Sequence, residues 1–246
     1  MIRFITLCIV LIIYLVFSTP FFFVYKLISR KNPEKGDYLA LRSVQRAFKI
    51  LLAIAGVKTT VIGEENIPDE AVLFIGNHRS QFDILLTYSR CKRLTGYVAK
   101  KELEKFPFLN ARMRSLHCLF LDRENPREGL KTIIEAINHI KKGISVCIFP
   151  EGTRHMGDEG TLMEFKEGSF KVATKTGCAI IPMSILNSAA MFEHQFPKIR
   201  PTHVVIEYGK PIYPKDLDKE DQKHLGVYCS KVIEETLQKN MATYHI

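Results

Sequence analysis

Residues 4–25, FITLCIVLIIYLVFSTPFFFVY, run for 22 positions without a charged side chain. This stretch restricts the fold more than any other, because a helix of about 20 such residues can cross the hydrocarbon core of a bilayer. Arg3 precedes it, and Lys26, Arg30, Lys31 and Lys35 follow. That excess of positive charge places the main body on the cytoplasmic side of a cell membrane. A cleaved signal peptide is less expected than a retained segment, given the length of the run and the lack of a small-residue cleavage site after it. Pro20 is expected to kink the helix, which leaves two arrangements open: a span, or a dip into one leaflet.

A second helix is predicted from Asp37, a good N-cap, to about Ala55, before Gly56. Arg42, Arg46 and Lys49 fall on one stripe, and Leu39, Leu41, Phe48, Leu51, Leu52 and Ile54 fill much of the remainder. Such a helix lies in the bilayer interface or packs on the core as a surface helix. Residues 1–58 are therefore read as an N-terminal membrane-anchoring helical segment and 59–246 as the body.

Charge distribution supports that division. Of a net +9, residues 1–60 carry nine Lys/Arg against Glu34 and Asp37, or +7, and the rest of the chain only +2. The excess sits beside the most apolar stretch, which suits anionic lipid headgroups. No basic stripe with interleaved base-stacking aromatics appears, so a nucleic-acid partner is not expected. The six cysteines are scattered without a CxxC pair. Unpaired thiols in a reducing compartment are expected, not a zinc site or disulfide framework.

After Pro68 short apolar runs alternate with amphipathic ones. Strands are predicted at 71–76, 94–100, 115–123, 144–149, 179–185 and 203–212, and helices around 81–90, 126–143, 168–177 and 216–241. This alternation implies an α/β sheet covered by helices, with polar motifs at strand ends, where open α/β sheets bind ligands.

Three polar clusters sit at such ends. In FIGNHRSQFDIL (74–85), Ser80 and Asp83 form an S-x-x-D cap signal, with Ser80 as N-cap and Asp83 at the third helical position. An acid there reaches back across the turn to His78, so the capping and pairing readings share one geometry. The second cluster ends a strand with Asp122 and Arg123. The third, FPEGTR (149–154), is a tight turn whose N–H groups, hydroxyl and guanidinium suit a phosphate oxyanion. FKEGSF (165–170) adds Lys166 and a glycine-opened helix start, an anion site or a plain cap. No metal-ligand spacing appears.

In this order the clusters resemble the glycerolipid acyltransferase family of the 1-acyl-glycerol-3-phosphate acyltransferase (lysophosphatidate acyltransferase) type. Its N-H-x4-D motif matches Asn77, His78 and Asp83; F-x-D-R matches Phe120, Asp122 and Arg123. F-P-E-G-T-R is present in full, F-K-x-G-x-F matches Phe165 to Phe170, and the apolar proline motif matches IIPMSI (180–185). KKEL (100–103) and GKPI (209–212) are also typical. The resemblance covers about residues 60–213, and implies a mixed, largely parallel sheet flanked by helices. It makes 59–246 a catalytic domain with His78 as general base and Asp83 as its orienting partner. Arg123, Glu151, Gly152, Thr153 and Arg154 would hold the acceptor's phosphate, with Lys100 near the phosphate or the thioester carbonyl. The implied reaction moves a fatty acyl group from acyl-CoA or acyl-carrier protein to the sn-2 hydroxyl of lysophosphatidic acid, without a resident cofactor, at the membrane bilayer. Glycerol-3-phosphate or another lysophospholipid as acceptor stays open, as does a non-enzymatic membrane-anchored scaffold. No G-x-S-x-G elbow points to a lipase or thioesterase.

Overall fold

Alternating short strands and helices wind into one seven-stranded sheet with helices on both faces. The structure is a computed structural model describing residues Met1–Ile246. Its strands are β1 (Lys58–Ile62), β2 (Leu73–Gly76), β3 (Thr95–Lys100), β4 (Leu119–Leu121), β5 (Ser145–Ile148), β6 (Ile180–Leu186) and β7 (His203–Tyr208). The helices are α1 (Ile2–Phe17), α2 (Thr19–Lys31), α3 (Pro33–Ala55), α4 (Phe82–Tyr88), α5 (Pro107–Ser115), α6 (Pro126–Lys141), α7 (Lys171–Thr176), α8 (Lys219–Lys223) and α9 (Leu225–Tyr244). Spatial order is β1-β7-β6-β2-β5-β3-β4. Every neighbouring pair is parallel except β6 with β7, so the sheet is mixed and largely parallel, as the sequence implied.

β2, β5 and β6 are buried at every position, as strands covered on both faces must be. Alternation sends Phe74 to one face, with Leu41, Val44, Ile181 and Ile206. Leu73 and Ile75 go to the other, with Ile140, Val146, Ile233 and Leu237. The first cluster also takes in Leu7 and Phe22, so α1 to α3 share a core with the sheet instead of standing apart from it. The expected division at residue 58 falls on the first residue of β1.

The N-terminal run forms two helices, not one. They meet at Ser18 with a bend of 46°. Pro20 lies in the first turn of α2, where a missing N–H costs no hydrogen bond. Buried Arg112, from α5, fills the break: its guanidinium donates to Leu15 O, Ser18 Oγ and Thr19 Oγ1, and also to Phe108 O. No single helix is long and apolar enough to cross a membrane, whereas the bent pair together meets that length and composition. Ile2, Ile5, Ile9, Ile12, Ile13 and Val16 recur at three- and four-residue steps along α1, all exposed.

Helix α3 starts four residues before the expected Asp37. Asn32 caps it, accepting from Lys35 N–H at 3.1 Å, and Pro33 is its first residue. Asp37 is used otherwise: it accepts from Ser29 Oγ (3.0 Å) and faces His117 Nε2 (2.7 Å). One face of α3 is buried against the core through Ala40, Leu41, Val44, Ala47, Leu51 and Ala55, while Arg46 and Lys49 stay exposed. β1 and α5 stand where the sequence predicted no element, and the strand expected at 115–123 shrinks to Leu119–Leu121.

Candidate active site

Gly76 ends β2 in the middle of the sheet, and the next five residues build a turn into α4. Asn77, fully buried, closes that strand end against β6. It donates through Nδ2 to Ile185 O (2.9 Å) and accepts from Ile185 N–H at Oδ1 (2.8 Å). His78 follows at the mouth of the turn. Its Nδ1–H donates to Asp83 Oδ2 at 2.9 Å, and the carboxylate is 0% exposed. The same Oδ2 accepts the Arg79 and Ser80 backbone N–H groups, both at 2.8 Å.

Helix α4 starts at Phe82, which makes Gln81 the N-cap and Asp83 the second helical residue. The expected positions therefore shift by one. Ser80 still accepts the Phe82 N–H at 3.0 Å through Oγ. The physical reason is Asp83 itself: by gathering the N–H groups of residues 79 and 80 it extends the turn backward and delays the helix. With Nδ1 committed to Asp83, Nε2 is the nitrogen left to take a proton.

Phe149 stacks on the His78 ring at 4.5 Å between centroids and 20° between planes. It opens the second strand-end turn, closed by Gly152 N–H donating to Phe149 O (3.0 Å), with Gly152 at φ 75°, where a side chain would be strained. Glu151 is buried and spans the two turns. Its Oε1 accepts the His78 N–H (2.7 Å) and its Oε2 the Met163 N–H (3.0 Å). Burial pushes its carboxyl above the usual range, against the lowering pull of those two N–H groups. Glu151 thus holds backbone, while Gly152 and Thr153 stand at the rim, Thr153 exposed.

Arg79 escaped the sequence reading. It is 1% exposed and reaches away from the turn, donating to Asp158 O (2.8 Å) and Gly157 O (2.6 Å), with Glu159 Oε2 3.3 Å from Nε. It ties the loop after FPEGTR to the catalytic turn. Only its place in the N-H-R run hinted at a role, since an arginine between turn residues reads as surface charge.

Arg154 lies at the same rim, its Nη1 donating to Glu193 Oε1 at 3.1 Å. Lys166 lies across Gly152: a Cβ there would sit 3.0 Å from Lys166 Nζ. The two remaining cations stand further along the sheet. Lys100 ends β3 and pairs with Glu102 (2.7 Å), and Arg123 follows β4, the edge strand, exposed to solvent. The structure thus gathers His78, Asp83, Glu151, Gly152, Thr153 and Arg154 around two adjacent strand ends and leaves Lys100 and Arg123 outside that hydrogen-bond network.

A histidine held by a buried carboxylate, open on its far nitrogen and placed at the end of the central strand, is an arrangement able to take a proton from a hydroxyl. The chain belongs to the acyltransferase family, whose family model, described as Acyltransferase, matches residues 58–186, more than half of the sequence. It is 30% identical over 227 residues to a probable 1-acyl-sn-glycerol-3-phosphate acyltransferase of Mycoplasma pneumoniae, covering 85% of this chain and 84% of that one. The 1-acyl-sn-glycerol-3-phosphate acyltransferase of Escherichia coli K12 is 28% identical over 235 residues, with 93% and 91% covered. Among solved structures, the 1-acyl-sn-glycerophosphate (LPA) acyltransferase PlsC of Thermotoga maritima superposes with a TM-score of 0.83 at 27% identity, over 98% of this chain and 95% of that one.

Proposed function

We propose that the protein transfers a fatty acyl group from an acyl thioester, acyl-CoA or acyl-carrier protein, to the sn-2 hydroxyl of 1-acyl-glycerol-3-phosphate, giving phosphatidic acid. The observation that carries this reading is the His78–Asp83 pair, 2.9 Å apart with the carboxylate buried and Nε2 open. Nε2 takes the proton of the attacking hydroxyl as its oxygen bonds to the thioester carbonyl carbon. Asp83 stabilises the imidazolium that forms. The tetrahedral intermediate collapses with loss of the thiolate, which recovers the proton from Nε2. The acyl group arrives already activated as a thioester, so the scheme needs no resident cofactor or metal.

Arg154 and Lys166 flank the Phe149–Gly152 turn and supply cations for the acceptor's phosphate, whose capture orients the hydroxyl over Nε2. Glu151 acts indirectly, by fixing the His78 backbone. The exposed apolar stripe of α1, together with the exposed Phe21 and Val24 of α2 and Phe106 and Phe108, seats in the bilayer from the cytoplasmic side. In that position a lipid acceptor reaches the site without leaving the membrane.

The test supplies purified protein in phospholipid vesicles with labelled acyl-CoA or acyl-carrier protein and a panel of acceptors. Transfer to lysophosphatidic acid should exceed transfer to glycerol-3-phosphate and to lysophosphatidylcholine. No product with any of them would remove the enzymatic reading. A better rate with either competitor would reassign the acceptor.

A further inference from the structure

Glu193 is the one acid whose side chain joins the Arg154 guanidinium to helix α4. It stands on a short 3-10 turn, Glu193–Gln195, between β6 and β7. Its side chain is 4% exposed. Oε1 accepts from the Gln81 N–H at the start of α4 (2.8 Å) and from Arg154 Nη1 (3.1 Å). Oε2 is buried with no partner. A carboxylate so deep and half satisfied is costly to keep, so fold stability alone does not explain it.

The backbone around Glu193 is held by aromatic side chains. Phe192 stacks on Phe4 of α1 (centroids 5.5 Å apart, 18° between planes) and meets Phe82 of α4 edge-on at 5.9 Å. Phe196 packs on both Phe192 (5.3 Å) and Phe4 (6.1 Å). The carboxylate is therefore fixed to α4 by a hydrogen bond and to α1 by ring contacts, while Arg154 remains 38% exposed. One nitrogen of the guanidinium is tethered, and the N–H donors of the other two are left for a ligand.

We propose that Glu193 is a positioning residue: it holds Arg154 with its free donors presented to the acceptor's phosphate, and α1 in turn holds Glu193 through Phe4 and Phe192. This rests on the reading of Arg154 as a phosphate ligand. Two effects compete. A carboxylate beside the guanidinium lowers its net attraction for an anion, but it also removes beforehand the rotamer freedom that an arginine otherwise loses on binding. Because Oε1 is itself fixed by the Gln81 N–H and contacts only Nη1, ordering wins. The sign of the mutant effect decides between them.

The assay measures acceptor KM, donor KM and kcat for full-length protein in vesicles, with lysophosphatidic acid and acyl-CoA. Glu193→Ala should raise the acceptor KM roughly tenfold, the equivalent of about 1.4 kcal/mol, and leave the donor KM within about twofold. Glu193→Gln keeps an acceptor oxygen and should stay within about threefold of the parent. In an Arg154→Ala background, Glu193→Ala should add nothing further to the acceptor KM. Phe4→Ala should give a smaller rise of the same kind.

An acceptor KM that falls or holds in Glu193→Ala, while Arg154→Ala raises it, overturns the positioning role and leaves the phosphate clamp standing. Equal rises in both KM values, or a loss confined to kcat, overturn it as well, since those mark general disruption. An unchanged acceptor KM in Arg154→Ala removes the clamp itself. Should Glu193→Ala fail to fold, Glu193→Asp replaces it. The shorter acid keeps the Gln81 N–H but loses Arg154, and an unchanged acceptor KM there would equally refute the inference.

Discussion

Replacing Asp83 by Asn separates two jobs that one oxygen performs. Oδ2 accepts from His78 Nδ1–H and from two backbone N–H groups. Three donors converging there will orient the amide so that its oxygen occupies that place, which preserves the turn. The charge is lost, and the cost falls on the imidazolium formed as the hydroxyl gives up its proton. Two unit charges about 4 Å apart at an effective dielectric near 20 attract by about 4 kcal/mol. Losing that stabilisation only in the transition state lowers kcat by about 10³-fold.

The amide NH2 then takes the place of Oδ1, which is buried and has no partner. An unsatisfied donor there costs about 1–3 kcal/mol of stability, or several degrees of melting temperature for a chain of this size. Saturating rates and thermal melts, each measured on the same preparation, distinguish the two consequences. Asp83→Asn should remain folded at 25 °C with kcat down about 10³-fold, close to His78→Ala because the two act as a unit. A folded Asp83→Asn that keeps more than about a tenth of kcat would refute the pairing and leave Asp83 as a helix cap only.

Three further substitutions probe the scaffold. His139 is buried, and burial, with the nearby His117 and Lys142, lowers its imidazole to about 4 from 6.5. Its folded value is depressed, so the unfolded chain takes up a proton that the folded one refuses as pH falls from about 6.5 toward 4. His139→Gln should flatten the loss of stability across that window in urea titrations, and an identical pH slope would refute it. Arg79→Met leaves the Gly157 and Asp158 carbonyls and the Glu159 carboxylate without their cation. It should cost about 3 kcal/mol and speed proteolysis of residues 155–161, and unchanged cleavage would count against the tie. Arg112→Met unpins the Ser18 break and should loosen vesicle binding, read by flotation, with little change in the melting of the body; equal binding would show that the bend holds itself.

Much of the fold was legible because its signals are local. Asn125, Pro126 and Gly143 bracket α6 at nearly the predicted limits, and the apolar runs of β2, β5 and β6 announce strands buried on both faces. β1 was missed because KTTVI is short, half-exposed and at the sheet edge, where apolar alternation fades. α5 was missed because PFLNARMRS has almost no apolar face, and its one buried residue is Arg112. The break at Ser18 depends on that arginine, 94 residues away, which no local pattern announces.

The site divides in the same way. His78 and Asp83 share one turn, so their spacing could be argued from helix geometry. Arg79, Glu151 and Glu193 each have a partner 73 or more residues distant that helps set their jobs. Read as a phosphate ligand from its motif, Glu151 turns out to have both oxygens on backbone N–H groups.

The clasp between Asn77 and Ile185 also sets a timetable. These residues are 108 positions apart in the chain. At the usual pace of protein synthesis, about 5–20 residues per second, the ribosome takes roughly 5 to 20 seconds to deliver the second after the first. During that interval α1 and α2 are already out of the ribosomal tunnel, apolar stripe and all, while the strand end bearing His78 still lacks β6 to close it. The exposed apolar stripe of α1 is thus made well before the strand that closes the His78 turn.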